Sequence, residues 1–226
     1  MLIVDDLMEK EYYERYWKKE TFDEQGFVNL PPNHGHEISR IMGILRPYVS
    51  GCVLDVGCGD GFITDAISKL PSVMEVHGVD ISNTAIRVAK SRYPRIDFKV
   101  GQVADLPFES NYFDVVVAIE LIEHVYDTEQ MFREFSRVLK DAGYLIVTTT
   151  DFNLPKKVII ALFFWNRYFY PTNPHIRFFS KESLEKMLTK FGFKRVAYRW
   201  NGSYFGMMPK GQLMIAKKMK LSVSPR

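Results

Sequence analysis

Cysteine is scarce in this chain: Cys52 and Cys58 are the only two among 226 residues. Two thiols cannot build a disulfide framework, so a reducing, cytoplasmic location is the simplest expectation. Long hydrophobic runs are also missing. The longest, VIIALFFW at 158–165, is much shorter than the ~20 apolar residues that a membrane-spanning helix needs, and the first residues lack the basic-then-apolar order of a signal peptide.

Neither sign of charge is in large excess, because the net charge is only +3. A nucleic-acid partner is therefore not expected. Internal repeats and low-complexity linkers are absent as well, which predicts one domain at 34–226 preceded by a polar and aromatic N-terminal extension at 1–33. With 46% hydrophobic residues, the chain can bury a sizeable core.

Hydrophobic runs typical of strands alternate with helical patterns from residue 36 onwards. Near-continuous apolar strands such as FDVVVAIE predict a parallel sheet that is covered by helices on both faces. Two consecutive strand-like runs near the end, FKRVAYRW and QLMIAKKM, predict an antiparallel hairpin at the sheet edge. The fold class expected is α/β, a Rossmann-like, mostly parallel sheet of seven strands with an antiparallel C-terminal hairpin.

The stretch VLDVGCGDG at 53–61 is a strand that runs into a glycine turn and then a helix. Such a turn brings backbone amides close to a ligand at a helix N-terminus. Phe62 occupies the place of the last glycine in a dinucleotide fingerprint, which weakens the case for a pyrophosphate. Asp80 ends the next strand, where a carboxylate can bind ribose, and Asp105 follows the third strand. An adenosine without phosphate is implied, and S-adenosylmethionine fits it better than NAD.

These segments, with VDIS, ADLPF and SNYFDVVVAIELIEHV, resemble successive motifs of class I S-adenosylmethionine-dependent methyltransferases. The resemblance spans about residues 50–150 and follows the order of the family's motifs. It implies that Asp80 binds the ribose, that Asp105 binds the adenine and that Ile81 and Leu106 sandwich the adenine ring. The resemblance also implies that Asp55, Gly57, Gly59 and Gly61 line the methionine end of the cofactor. We add Glu120 to the cofactor-binding residues.

The stretch AIELIEHVYD at 118–127 places Glu120, Glu123 and His124 after the fourth strand. If this stretch is helical, the three side chains share one face. They could bind a divalent metal ion with His175 as a fourth ligand, could run acid–base chemistry, or could simply face water or pack. Glu123, His124 and His175 are our candidate catalytic residues.

Two families share this arrangement. Ubiquinone-biosynthesis O-methyltransferases resemble the chain in having E-x-x-E-H after the fourth strand, an apolar insert and a histidine before the last helix. Small-RNA 3′-terminal 2′-O-methyltransferases also have E-x-x-E-H and a downstream histidine, and use them to bind a metal. We interpret the first resemblance as the better match.

An apolar and aromatic insert at 151–179 separates the fifth strand from the last helix. Its length and composition suggest a lid or a wall of the acceptor pocket, a peripheral membrane contact through 156–170, or a helix that packs on the sheet edge. The first two interpretations predict an apolar or aromatic acceptor.

The function predicted is S-adenosylmethionine-dependent O-methylation of a small, hydrophobic or aromatic molecule. One alternative is a metal-dependent RNA 2′-O-methyltransferase. The other is a regulatory module that binds S-adenosylmethionine without catalysis. The sequence leaves the acceptor, the use of a metal and the oligomeric state open.

Overall fold

The structure is a computed structural model that describes residues 2–20, 34–170, 174–204 and 208–220. The remaining segment of the predicted N-terminal extension, 21–33, lies outside the described residues. The helices are α1 (Leu2–Glu20), α2 (His34–Leu45), α3 (Phe62–Ser68), α4 (Asn83–Arg92), α5 (Thr128–Val138), α6 (Leu154–Ile159), α7 (Trp165–Tyr168) and α8 (Lys181–Lys190).

A seven-stranded sheet forms the centre of the molecule, in the order β3-β2-β1-β4-β5-β7-β6. The first five strands along the chain pair in parallel, and β7 is antiparallel to both of its neighbours. The predicted fold class and the C-terminal hairpin are thus confirmed. The strands are β1 (Gly51–Val56), β2 (Val73–Asp80), β3 (Asp97–Val100), β4 (Phe113–Ala118), β5 (Leu139–Thr150), β6 (Phe193–Tyr204) and β7 (Met208–Lys218).

Hydrophobic side chains fill the space on both faces of the sheet. Val116 on β4 belongs to one buried cluster with Phe132 and Phe135 of α5, and all three are completely buried. Its strand neighbours Val115 and Val117 point the other way, into a second cluster with helix α2. Alternate residues of one strand therefore support both layers, which is why the strand is apolar throughout.

Side-chain caps fix where several helices begin. The hydroxyl of Ser82 accepts a hydrogen bond from the amide of Ala85 at the start of α4. The carboxylate of Asp127 accepts one from the amide of Gln130 at the start of α5. Helix α5 ends at Val138 because strand β5 begins directly at Leu139.

The insert after β5 forms α6, a π-helical stretch (Ile160–Phe164) and α7. It is anchored by an aromatic cluster in which Phe152 packs against Tyr168, Phe169 and Phe178. Its outer side chains point into solvent. Among the described residues, none of the helices combines the length and the hydropathy needed to span a membrane.

Candidate functional site

Two features of the turn after β1 require a glycine at Gly57. Its φ of +73° lies in the left-handed region, and a Cβ there would come within 2.9 Å of Leu121 Cδ1. Because Leu121 follows β4, the glycine lets the two loops at the carboxyl edge of the sheet approach each other. This is the edge at which open parallel sheets bind ligands.

Asp80, at the end of β2, ties the turn to the neighbouring strand. One carboxylate oxygen accepts a hydrogen bond from the amide of Gly59 at 2.9 Å, and the other accepts one from the amide of Ser82 at 2.9 Å. Burial raises the pKa of Asp80 to about 6, against the lowering effect of these two amides. Asp80 therefore fixes the conformation of the glycine turn, and it also lines the cavity described below. We call the glycine turn and Asp80 together the cofactor edge.

Asp55, the last acidic residue of β1, is buried and points at helix α3. Its carboxylate accepts a hydrogen bond of 2.6 Å from the hydroxyl of Thr64. Burial raises its pKa to about 7, although the hydroxyl works in the opposite direction. Asp55 does not line the cavity described below. Its hydrogen bond to Thr64 joins strand β1 to helix α3, the two elements on either side of the glycine turn.

A cavity of about 380 Å³ opens at the carboxyl edge of the sheet. Of the residues predicted from the sequence it brings together Gly57, Asp80, Ile81, Glu120, His124 and His175. The stretch after β3 contributes Gln102, Val103 and Ala104 to its wall. The cavity thus joins the predicted cofactor edge to the predicted reactive histidines.

The other predicted site residues lie beside this cavity rather than in its wall. Asp105 is exposed, and Leu106 is buried in the core with its amide donating to Glu134 at 2.8 Å. Gly59 and Gly61 belong to the same turn as Gly57 but do not line the cavity. The roles in adenine binding that the resemblance implies for Asp105 and Leu106 stay predictions.

One wall of the cavity comes from the N-terminal helix α1, which we did not predict to be part of the site. Tyr12, Tyr13, Tyr16 and Trp17 all line it. The ring of Trp17 lies so close to the turn that a Cβ on Gly59 would approach it to 2.6 Å. The signal was present in the sequence as four aromatic residues at i, i+1, i+4 and i+5 in an otherwise polar segment.

A ring contact and a pKa shift show how Tyr13 enters the site. Its ring lies edge-on to that of His124, with 6.2 Å between the centroids. Burial and the nearby charges, among them Asp80 and Glu123, hold the pKa of its hydroxyl well above the usual value. Tyr13 therefore stays a neutral hydrogen-bonding group in the cavity.

The stretch from Glu120 to His124 is a loop, so the condition that it is helical is not met. Its residues form an irregular turn in which the amide of His124 donates to the carbonyl of Leu121, and Glu120 has a φ of +48°. The carboxylate of Glu120 accepts a hydrogen bond from the hydroxyl of Thr148 at 2.8 Å.

His175 folds back onto this loop. The backbone carbonyl of Glu123 accepts hydrogen bonds from the amides of Ile176 and Arg177, both at 3.0 Å, and the rings of His124 and His175 lie edge-on at 4.8 Å. These main-chain hydrogen bonds bring together His124 and His175, which are about fifty residues apart in the sequence.

The tautomer of His124 follows from its partner. Its Nδ1 lies 3.0 Å from the carbonyl oxygen of Pro174, which can only accept, so Nδ1 carries the proton. Nε2 is then left with a free lone pair. Burial and the neighbouring His175 lower the pKa of His124 to about 4, and burial also lowers the pKa of His175. Both rings are neutral near pH 7.

Glu123 is fully buried, and neither of its carboxylate oxygens has a hydrogen bond of good geometry. Burial, followed by the charge of Glu120, raises its pKa to about 8. Its ligand atoms lie within 4.8 Å of those of His124 and His175. Two neutral imidazoles and one buried carboxylate fit a divalent transition metal, and among the described residues Glu120 is not part of this group.

The charge of the cavity indicates which ligand it can take. Its described acidic residues are Glu9, Asp80, Glu120 and Asp127, and no lysine or arginine is among the described residues in its wall. Such a wall disfavours the pyrophosphate of a dinucleotide and suits a cationic ligand such as a sulfonium.

Comparison with known proteins agrees with this geometry. A family model described as a methyltransferase domain matches residues 54–147. The chain is 35% identical over 146 residues to a Mycobacterium tuberculosis protein named "Probable S-adenosylmethionine-dependent methyltransferase", a match that covers 64% of this chain and 49% of that protein. The chain therefore spans about half the length of this relative.

Two further relatives are named for quinones. The demethylmenaquinone methyltransferase of Chlorobaculum parvum is 30% identical over 162 residues, covering 65% of this chain and 67% of that protein. The ubiquinone biosynthesis O-methyltransferase of Coxiella burnetii is 33% identical over 105 residues, covering 45% of this chain and 44% of that protein.

The fold has solved counterparts. The magnesium protoporphyrin IX methyltransferase of Synechocystis PCC 6803, solved with bound SAH, superposes with a TM-score of 0.67 at 19% identity, covering 96% of this chain and 99% of that chain. The motifs, the fold and the relatives together support S-adenosylmethionine as the cofactor. The chain belongs to the class I S-adenosylmethionine-dependent methyltransferases.

Proposed function

We propose that this protein transfers a methyl group from S-adenosylmethionine to an oxygen of a small, hydrophobic or aromatic acceptor. The observation that carries the proposal is the cavity in which the cofactor edge, at Gly57 and Asp80, meets His124 and the aromatic wall of α1. Relatives named for menaquinone and ubiquinone support an acceptor of quinol type, which is both apolar and hydroxylated.

When bound, S-adenosylmethionine supplies an activated methyl group on a cationic sulfur. The protein's task is then to align the acceptor and to exclude water. The glycine turn and Asp80 hold one side of the cavity, and Tyr13 and Trp17 close the other side. The acidic wall favours a cation over an anion at the reacting end.

His124 is the best placed group to receive the proton of an acceptor hydroxyl. Its Nδ1 proton is held by the carbonyl of Pro174, so Nε2 is available as the base. With a pKa of about 4 it is a weak base. It therefore suits an acidic hydroxyl, such as that of a phenol or a quinol, better than a sugar hydroxyl.

A divalent metal would activate the hydroxyl in a different way, because Nε2 of His124 would then bind the metal and could not also take the proton. Glu123, His124 and His175 are the residues that would hold it, and the metal would lower the pKa of a hydroxyl that binds beside it. Metal binding would also satisfy the two carboxylate oxygens of Glu123, which are buried without hydrogen bonds. This gives the metal-dependent variant of the proposal its structural support.

The apolar face of the insert suits an acceptor that resides in lipid. Leu162, Phe163 and Trp165 are 68%, 74% and 57% exposed, and the aromatic residues of 163–170 do not line the cavity. We infer that this face rests on a lipid surface. Lys156 is not one of its cations, because it is buried with its Nζ donating to the carbonyl of Lys210 at 3.2 Å.

Calorimetry and a methyl-transfer assay test the proposal. S-adenosylmethionine should bind and NADH should not. The purified chain should release S-adenosylhomocysteine with phenols or quinols, and His124→Gln should lower kcat more than it changes the affinity for the cofactor. Binding without transfer to any acceptor would favour the regulatory module, and transfer to short RNAs alone would favour the RNA 2′-O-methyltransferase.

A further inference from the structure

A second cluster of metal-ligand side chains lies at the opposite, amino-terminal end of the sheet. Cys52 stands at the start of β1, and Glu75 and His77 lie on β2, with Cys52 and Glu75 directly paired across the two strands. The cofactor residues lie further along the same strands, at the other end. The cluster is therefore separate from the proposed active site.

The three side chains converge on one point. The Sγ of Cys52 lies 3.7 Å from Glu75 Oε2, and Glu75 Oε1 lies 2.8 Å from His77 Nε2. All three ligand atoms lie within 4.8 Å of one another. Around a zinc ion, bonds of about 2.0–2.3 Å place ligand atoms within the same range of each other.

His77 is the second, independent indication of a ligand. Its Nδ1 lies 3.1 Å from a carboxylate oxygen of Asp97, which can only accept, so in the neutral ring Nδ1 carries the proton. Nε2 then presents a lone pair. This atom is buried and makes no hydrogen bond, although the Glu75 carboxylate lies beside it.

Two acceptors in contact need a cation between them. A proton could join His77 to one oxygen of Glu75 while the Cys52 thiol donates to the other oxygen at 3.7 Å, whereas a metal ion would bind all three ligand atoms at once. A carboxylate behind a histidine is also the usual arrangement that orients a histidine on zinc. The rings of Phe108, Tyr112 and Phe113 surround His77 edge-on at centroid distances of 5.6–5.9 Å and fix its orientation.

We propose that Cys52, Glu75 and His77 form a site for a thiophilic divalent metal ion, with Zn²⁺ as the fitting ion and Asp97 as the residue that positions His77. The Cys52 thiol releases its proton to solvent as its sulfur bonds the metal. The side chain of Glu75 is 53% exposed, so the metal can enter from solvent and water can take the fourth position.

The consequence of this site is structural. It joins β1 to β2 three residues before Asp55 and Asp80 on those strands, which is about 10 Å along each strand. A metal held here stabilises the two strands that carry the cofactor edge, without contact to the cofactor cavity. The proposal does not depend on methyl transfer, so the two can fail separately.

Cobalt is the sharpest probe, because a thiolate bound to Co²⁺ gives a charge-transfer band in the near ultraviolet. The other ligand cluster contains no sulfur, so this band reports the Cys52 site alone. The full chain is reduced with a phosphine, titrated with Co²⁺ and then with Zn²⁺. The variants are Cys52→Ser, Glu75→Gln and Asp97→Asn, with Cys58→Ser as the matched control because Cys58 is the other buried free cysteine.

We expect one equivalent of Co²⁺ to give the band and Zn²⁺ to abolish it. Cys52→Ser should remove the band, Cys58→Ser should keep it, and Asp97→Asn should weaken binding by roughly tenfold or more. Zn²⁺ should raise the Tm of the wild type and of Cys58→Ser by more than it raises that of Cys52→Ser, which keeps the cluster of Glu123, His124 and His175. Should Cys52→Ser fail to fold, Glu75→Gln gives the same test on a half-exposed residue.

Three results would overturn the proposal. One is the lack of any charge-transfer band in the wild type. Another is an equal band in Cys52→Ser, and the third is Co²⁺ affinity in Glu75→Gln and Asp97→Asn that equals that of the wild type. The last result would leave His77 as an ion-paired histidine that binds a proton only.

Discussion

Glu14 of the N-terminal helix and Thr84 in the first turn of α4 are joined by a hydrogen bond of 2.8 Å from the threonine hydroxyl to the carboxylate. The same carboxylate accepts from the amide of Asn83. Burial would raise the pKa of Glu14, but these hydrogen bonds outweigh it and lower the pKa. Glu14, on helix α1, therefore caps the N-terminus of helix α4. This contact attaches the aromatic wall of the cavity to the rest of the domain.

Removing this attachment should weaken cofactor binding. In Glu14→Ala, α1 loses contacts worth about 1 kcal/mol, so the wall formed by Tyr13 and Trp17 is less often in place. We expect the Kd for S-adenosylmethionine to rise about fivefold, as measured by calorimetry, since 1.4 kcal/mol corresponds to a factor of about ten.

Glu11→Ala is the matched control, because Glu11 is an exposed glutamate of the same helix. It should bind the cofactor like the wild type. Equal Kd values for the wild type and Glu14→Ala would show that α1 takes no part in cofactor binding.

Alanine at Gly57 should disable the glycine turn. The new Cβ would meet Leu121 at 2.9 Å with a φ of +73°, so we expect a loss of about 1–3 kcal/mol in the free energy of unfolding. In contrast, Gly43 lies in α2, where a new Cβ would have no other atom within 4 Å, and Gly43→Ala should stabilise by about 0.5–1 kcal/mol. Urea unfolding of both variants measures this, and equal effects would contradict the steric explanation.

The sequence predicted the fold well because the information is local. An apolar run such as β4, the cap at Asp127 and the glycine turn at Gly57 each depend on neighbours within a few residues. The family resemblance then supplied the order of the motifs. Strand order and the position of the hairpin follow from rules on parallel connections rather than from single residues.

The site was harder to predict because its parts meet through tertiary contacts. The aromatic wall comes from α1, whose position depends on Glu14 reaching α4 about seventy residues away. The stretch at Glu120 forms a loop, because the hydroxyl of Thr148 on the neighbouring strand accepts from its amide and donates to its carboxylate. His175 did approach His124, through the backbone contacts to Glu123 and the hydrogen bond between His124 Nδ1 and the carbonyl of Pro174.

The pKa of Glu123, raised to about 8, predicts a pH dependence of stability. The folded state keeps this proton up to about pH 8, whereas the unfolded chain releases it near the ordinary glutamate pKa. The stabilisation is therefore complete at low pH and is lost as the pH rises through the folded pKa. Between pH 6.5 and 8 the wild type should lose about 1–2 kcal/mol relative to Glu123→Gln.

Urea unfolding in the presence of a chelator measures this difference. Glu109→Gln, at an exposed glutamate, should keep the pH dependence of the wild type. Asp55 and Asp80 also have raised pKa values, so only the difference between variants reports Glu123. If the free energies of unfolding of the wild type and Glu123→Gln change with pH in parallel, Glu123 does not carry this proton.

Metal binding at Glu123, His124 and His175 is tested with Mn²⁺ by calorimetry. Cys52→Ser serves as the background, so that the cluster at the other end of the sheet does not contribute. We expect one Mn²⁺ per chain, and a loss of affinity of at least about tenfold in Glu123→Ala and in His175→Ala. Glu109→Ala should bind as the background does, whereas the same affinity in all four proteins would exclude this metal site.

The exposed face of the insert predicts binding to lipid. Leu162 and Phe163 are 68% and 74% exposed, so placing them in the headgroup region removes apolar surface from water. We expect the wild type to sediment with vesicles of phosphatidylcholine and phosphatidylglycerol. Phe163→Asp should reduce the bound fraction severalfold, because it places a charge in that region. Val196→Asp, at a half-exposed valine on β6, should leave the bound fraction unchanged. If the wild type stays in the supernatant, this face does not bind lipid.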